Sequence, residues 1–318
     1  MILIIFVSWR EPSFLNAGNL LNILNQNSAL AIVAMGMTLV IILGGIDLSV
    51  GSLMAFAGGV GILTLNALLA ATGNTTLAVT VALVTTAAVG AAAGTINGIL
   101  ITKGRIEPFI ATLGTLVAYR SAAQWMANGG QFTSDDKALL PLLGRGMPIP
   151  FTNTARPGAQ PWPLYLPTSV LVLLGVALAA YVLLNRTRLG RYMVAIGCNE
   201  RAAVYSAISV ARVKVAAYTF IGLATGIAAV TYLGRFNSVS SGSTGLLLEL
   251  KVIAAVVIGG TRMQGGSGSV VGALIGVMLI GVIDNAMIML GLRSHAQGLV
   301  MGLIIIAAVL LQRLAPRR

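Results

Sequence analysis

Charge is what this chain has least of. Its 318 residues hold eight Asp and Glu against twenty Lys and Arg, and charged residues make up 9% of the whole. Soluble chains carry roughly 25% charged residues, so an ordinary soluble domain is excluded. A single cysteine, Cys198, excludes an intrachain disulfide and any cysteine-based metal site. The single histidine, His295, has no second ligand near it in sequence, so no metal centre is expected. Aromatic residues reach only 6% and do not interleave with the basic ones. The net charge of +12 therefore does not mark a nucleic-acid partner, which would need a basic patch on a soluble module.

Catalytic signatures are missing as well. Neither HExxH nor GxSxG occurs. Gly260 to Gly265 has the glycine spacing of a phosphate-binding loop, but Gly266-Ser267 follows where Lys-Ser/Thr is required. The chain is expected not to be an enzyme, to hold no cofactor and to hydrolyse no ATP. Met1–Trp9 is apolar but lacks the basic start and small-residue cleavage site of a signal peptide.

What is present is apolar length. Hydrophobic residues make up 57% and the mean hydropathy is +0.93. Runs suited to crossing a ~30 Å hydrocarbon core occur at Ala29–Leu43, Val50–Ala70, Leu77–Thr102, Ile106–Met126, Leu164–Leu184, Val215–Leu233, Glu249–Gly260, Val270–Leu290 and Gln297–Leu311. With Met1–Trp9 as the end of a first span, the expectation is an all-α polytopic membrane protein. It would have about ten spanning helices, eight at the fewest, in a single domain, 1–318. Leu20–Gln26 reads as a short amphipathic piece at the outer surface.

Gly44-Gly45-Ile46-Asp47-Leu48-Ser49 interrupts two apolar runs. Such a break predicts re-entrant or unwound backbone, tolerated only where protein or water covers it. VIILGG at Val40–Gly45, followed by Val50-Gly51, is echoed by VVIGG at Val256–Gly260, followed by Val271-Gly272. Both would sit at one depth and orientation, as in repeat-built transporters. Small residues one turn apart at Gly90/Gly94/Gly98, Gly222/Gly226 and Gly272/Gly276 let helices approach closely, within one chain or between two.

Basic residues sit in the short connections. Lys103, Arg105, Arg262 and the tail Arg313, Arg317 and Arg318 join a dense stretch holding Arg186, Arg188, Arg191, Arg201, Arg212 and Lys214. The positive-inside rule places these in the cytoplasm, with both termini there, and makes anionic lipid a partner. Residues 127–163 are polar and proline-rich, the composition of an external loop. Within the cytoplasmic segment 186–214, Asn199–Ser209 has helical character, with a cap at Asn199 and an acid in the first turn.

The run Leu189-Gly190-Arg191-Tyr192, Ala195-Ile196-Gly197-Cys198-Asn199-Glu200, Ala202-Ala203 and Ser206 resembles the cytoplasmic coupling loop of bacterial ABC sugar permeases, in the ribose/xylose/galactoside branch. Gly44–Ser52 and Ile253–Thr261 followed by Gly265-Gly266 agree with it, so the resemblance spans nearly the whole chain. Cys198 departs from it where glycine is common, and Lys251 where aspartate often follows Glu-Leu. The resemblance implies a permease subunit of the bacterial inner membrane, working with separate ATPase subunits that bind ATP and Mg. A periplasmic binding protein would deliver a pentose or hexose, and a second permease copy would complete the pore. Gly197, Asn199, Glu200, Ala202, Ala203 and Ser206 match the family's positions and are expected to dock on the ATPase.

For the path itself the candidates are Asp47, Ser49, Asn97, Asp284 and Asn285, because intramembrane polar groups need a reason. Asp47 could line the pore or cap the span that follows. Asn97, Asp284 and Asn285 could meet sugar hydroxyls or bond helix to helix. Lys251, two residues from Glu249 and on another helical face, is expected to snorkel or to meet another subunit. An ion-coupled carrier for a small polar solute is the competing class, and a nucleoside-like ligand the competing cargo. The first would call for more titratable midplane residues than Asp47, Asp284 and Glu249.

Overall fold

The computed structural model describes residues 7–153, 162–292 and 294–314. The start of the apolar stub at Met1–Trp9, residues 154–161 of the external segment, and Arg317 and Arg318 of the basic tail lie outside them. The described chain is mostly helical. Its helices are α1 (Ala17–Ile42), α2 (Val50–Thr72), α3 (Thr75–Thr102), α4 (Pro108–Met126), α5 (Leu139–Arg145), α6 (Thr168–Arg186), α7 (Arg188–Cys198), α8 (Glu200–Tyr205), α9 (Val210–Phe236), α10 (Leu248–Ile258), α11 (Val270–Met289) and α12 (Ser294–Leu314). Strands are few: β1 (Gln131–Thr133) pairs antiparallel with β4 (Ser238–Ser240), and β2 (Met147–Asn153) with β3 (Trp162–Leu166).

Among the described residues six helices, α1, α2, α3, α6, α9 and α11, are long and apolar enough to cross a membrane. Their starts follow from local chemistry: Asn16, Asn74 and Ser269 each accept a backbone N–H of the first turn, satisfying one orphan donor. The Leu20–Gln26 piece is no separate surface helix. With no breaker between Ala17 and Ile42, it forms the first turns of α1. The predicted span Glu249–Gly260 is α10, only 11 residues long, or ~16 Å at 1.5 Å per residue.

α1 is the axis of the core. From Leu30 to Leu43 every side chain is buried, enclosed by α6, α9, α10 and α11. The tightest seam lies between α3 and α9. A Cβ on Gly90 would strike the carbonyl of Gly222, and one on Gly94 the carbonyl of Tyr218. α10 and α11 meet the same way, a Cβ on Gly276 running into the Ala255 carbonyl. All three glycine stripes thus pack within one chain, which settles an alternative the sequence left open.

Both halves of the glycine echo end a helix at a left-handed glycine, Gly44 (φ 78°) and Gly260 (φ 89°). They come together in space, where the Gly266 N–H donates to the Ile42 carbonyl at 2.8 Å. At the other end β1 and β4 tie the segment 127–163 to the end of α9. Asp136 organises it, accepting from the N–H groups of Ala138, Leu139 and Leu140. Burial pushes its carboxyl up, but these donors and Lys137 outweigh burial and hold it below its ordinary 3.8.

Two outcomes are expected. Gly94→Leu should lower thermal stability by at least about 1–3 kcal/mol through overpacking, read as a melting shift without change in subunit stoichiometry. A depressed carboxyl stabilises the fold above its unfolded value and loses that contribution as pH falls through the folded one. Exchange protection at Ala138–Leu140 should therefore hold above pH 3.8 and fade below it. Asp136→Ala should remove it at neutral pH, at a cost of about 1 kcal/mol.

Candidate functional site

The segment 186–214, expected as a loop carrying one short helix, is almost continuously helical. Thr187 accepts the Gly190 N–H to start α7, and Asn199 accepts the Ala202 N–H to start α8. Asn199 is extended (φ −160°), so the chain bends sharply between the two. α7 turns Gly190, Met193 and Ile196 inward and leaves Arg188, Arg191 and Tyr192 outside. α8 stops at six residues because the Ser206 N–H bonds back to Ala202 and Ala203 and Ala207 takes a left-handed φ of 58°.

This geometry divides the six predicted docking residues. Asn199, Glu200, Ala202 and Ser206 are exposed. Glu200 is already engaged, accepting from Lys214 Nζ at 2.9 Å. Ala203 is buried, and Gly197 faces the body of the protein, where a Cβ would strike the Ile42 carbonyl. The tip itself is outside that set, though Tyr205 counts among the apolar contact positions of Asn199–Ser209. Val204 is 55% and Tyr205 90% exposed, and the signal was an aromatic at the end of an otherwise small and polar helix.

A second group gathers at the break after α1. The Gly45 N–H closes back on Val40, and the chain runs on as non-helical backbone. Asp47 Oδ1 accepts from the Ser49 N–H at 2.8 Å and from Ser49 Oγ at 2.6 Å. Asn97 Nδ2 donates to Ser49 Oγ at 2.9 Å and to Asp47 Oδ2 at 3.3 Å. All three are fully buried. Asp47 closes a turn two residues ahead of the helix; Ser49 is the cap residue and makes no side-chain cap bond. Tyr218 Oη donates to the Ile46 carbonyl at 3.3 Å, and the Thr112 hydroxyl, which donates to the Pro108 carbonyl, lies beside it, so the irregular backbone is covered.

The third feature is a cavity of about 540 Å³ between α1, α9, α10, α11 and α12. Lys251 and Asp284 lie in its wall with Nζ and Oδ2 2.8 Å apart. Lys251 therefore does not snorkel: a carboxylate on the next helix is within reach, and pairing lowers the cost of a charge at depth. Asn285, the residue beside Asp284, turns elsewhere and exchanges reciprocal amide bonds of 2.9 and 3.1 Å with Asn19. The cavity rim at 241–247 is non-helical, and Arg120 Nη1 holds it by donating to the carbonyls of Ser241 and Thr244.

Residues 19–309 match the profile of a family described as the permease component of branched-chain amino acid transport systems. The chain belongs to this permease family. The ribose import permease of Escherichia coli K12 is 39% identical over 98% of this chain and 90% of its own length. That of Bacillus subtilis is 39% identical with the same coverage. The galactofuranose transporter permease of Escherichia coli K12 is 31% identical over 93% of this chain and 80% of its own. No solved structure matches. The permease is thus a transport subunit of the ABC sugar class rather than an enzyme, and its apolar helices make it a multi-pass membrane protein.

Removing the permease's buried carboxylate tests the second group. Asp47→Ala leaves Ser49 and Asn97 with lost partners and should cost at least about 2 kcal/mol, the scale of orphaned buried donors. A melting temperature equal to the parent's would contradict this.

Proposed function

We propose that the chain is the membrane-spanning subunit of an ATP-binding cassette importer for a monosaccharide, pentose or hexose. One observation carries the reading. A chain similar over nearly its full length to ribose and galactofuranose permeases presents an exposed apolar tip, Val204-Tyr205, in a segment whose Arg188, Arg191, Arg201 and Arg212 are also exposed. An apolar tip on a basic cytoplasmic face suits a cleft in a soluble partner, and a separate ATPase binding ATP and Mg is that partner. A periplasmic binding protein delivers the sugar to the opposite face.

The topology follows from the same reading. Starting from α7 and α8 in the cytoplasm, α6 and α9 lead away from it, and each following helix alternates. α10 joins residues 241–247 to complete one crossing. With the stub before Pro12 as the first span, this gives about ten crossings, in the bacterial inner membrane, with both termini cytoplasmic.

Two copies form the pore. Leu246, 65% exposed, and Leu247, 54% exposed, sit on non-helical backbone next to α10. Backbone of that kind does not face lipid; a second permease copy across an aqueous path covers it. Lipid, anionic at the cytoplasmic arginines, surrounds the rest.

Tyr205→Glu should leave insertion and melting temperature unchanged while reducing sugar uptake about tenfold or more, as expected when a buried interface anchor is lost. ATPase co-purification should fall in parallel. Normal uptake by this variant would remove the basis of the reading. A purified complex with one permease chain per ATPase pair would refute the two-copy pore.

A further inference from the structure

The geometry points to the Lys251–Asp284 pair as the element that holds the sugar during its passage, taking a vicinal diol between ammonium and carboxylate. This rests on the proposed importer function and names the contact within it.

Position comes first. Asp284 lies 14 residues along α11 from Val270, ~21 Å at 1.5 Å per residue, inside a core of ~30 Å. Charged side chains at such depth face protein or a water-filled cavity. The two polar groups at depth behave differently here. The Asp47–Ser49–Asn97 cluster is sealed, whereas the side chains of Lys251 and Asp284 remain 37% and 24% exposed in the wall of the 540 Å³ cavity. That volume lies within the usual range for small-molecule sites, about 300–1,000 Å³.

Chemistry narrows the ligand. An ammonium only donates and an ionised carboxylate only accepts. A hydroxyl does both, so adjacent hydroxyls can donate to Asp284 and accept from Lys251 at once, in charge-assisted bonds. Gln26 and Gln297 add carboxamides to the same wall, Ser243 a hydroxyl and Tyr232 a ring. A donor, an acceptor, amphoteric amides and an aromatic surface together fit a polyol ring better than an apolar side chain or an anion. Lys251 also stands one turn into α10, directly after the irregular segment 241–247, so a ligand that loads the pair acts on the end of a half-length helix.

A pair that only braces α10 against α11 would tolerate reversal, because the attraction is the same in either direction. The test uses the permease reconstituted with its ATPase and binding protein, with D-ribose as probe. Asp284→Asn should cut uptake about tenfold or more, the loss expected for a hydrogen bond to a charged group, with ATPase co-purification unchanged. The double exchange Lys251→Asp with Asp284→Lys should restore any lost stability but not uptake. Uptake restored by the exchange, or unaffected by Asp284→Asn, overturns the proposal.

A second measurement separates it from the parent reading, since it needs no ATPase. Ser243→Cys in a Cys198→Ser background, which removes the exposed native thiol, labelled by a water-soluble maleimide in the purified permease, should be protected by excess D-ribose or D-galactose. Protection should vanish in Lys251→Met. Labelling indifferent to both sugars overturns the contact even where ATP-driven uptake is normal. Protection without uptake leaves the contact standing and counts against the importer.

Discussion

Every polar backbone group at hydrocarbon depth must find its partner inside the protein, and this constraint governs where the chain is allowed to be irregular. Helices satisfy it at no cost. The breaks do not, and each carries its own cover. After α1 the Ile46 carbonyl receives Tyr218 Oη, while Asp47 closes the turn onto Ser49. Before α10 the carbonyls of Ser241 and Thr244 receive Arg120. The glycine seams serve the same end. Only because Gly94 and Gly98 bring α3 against Tyr218 and Val215 do Tyr218 and Asn97 both reach the break.

Much of this was legible in the sequence where the signal is local. Apolar runs marked the six long spanning helices among the described residues, and Gly44-Gly45 with Asp47 marked the break, because a change of backbone regime shows within a few residues. Partners across the sequence were not legible. Asn97 meets Asp47 from 50 positions away, Lys251 meets Asp284 from 33, and Asn285 meets Asn19 from 266. No periodicity encodes such pairings; the crossing of helices does. The same limit explains the docking set. Motif positions identified α8, but whether Ala203 or Tyr205 faces out depends on the bend at Asn199, which its residue type allows without dictating.

The polar residues of the membrane interior thereby separate into two kinds. Asp47, Ser49, Asn97 and Asn285 spend their hydrogen bonds on other protein groups and lie buried. Asp47 fixes the backbone N–H of Ser49, while Asn97 and Asn285 tie side chain to side chain across elements. Lys251 and Asp284 satisfy each other yet keep part of their surface in a cavity. Residue type alone does not distinguish these kinds, since an aspartate stands in each. Exposure and the geometry of the partner do.

The packing around Gly197 shows why glycine recurs at one junction. Gly197 at the end of α7, Ile42 at the end of α1 and Gly265-Gly266 after α10 meet backbone to backbone. A Cβ on Gly197 would strike the Ile42 carbonyl, and one on Gly265 would come within 3.0 Å of the carbonyls of both Gly197 and Ile42. The Gly266 N–H donates to that same Ile42 carbonyl at 2.8 Å. Side chains absorb small displacements by changing rotamer; here there are none to do so. A shift of α7, which continues directly into the exposed tip at Tyr205, must therefore move the ends of α1 and α10 with it or break the hydrogen bond at Ile42. Those two ends open onto the two irregular stretches, 43–49 and 259–269. Close-packed glycine thus makes the junction stiff between the exposed tip at Tyr205 and the two non-helical stretches.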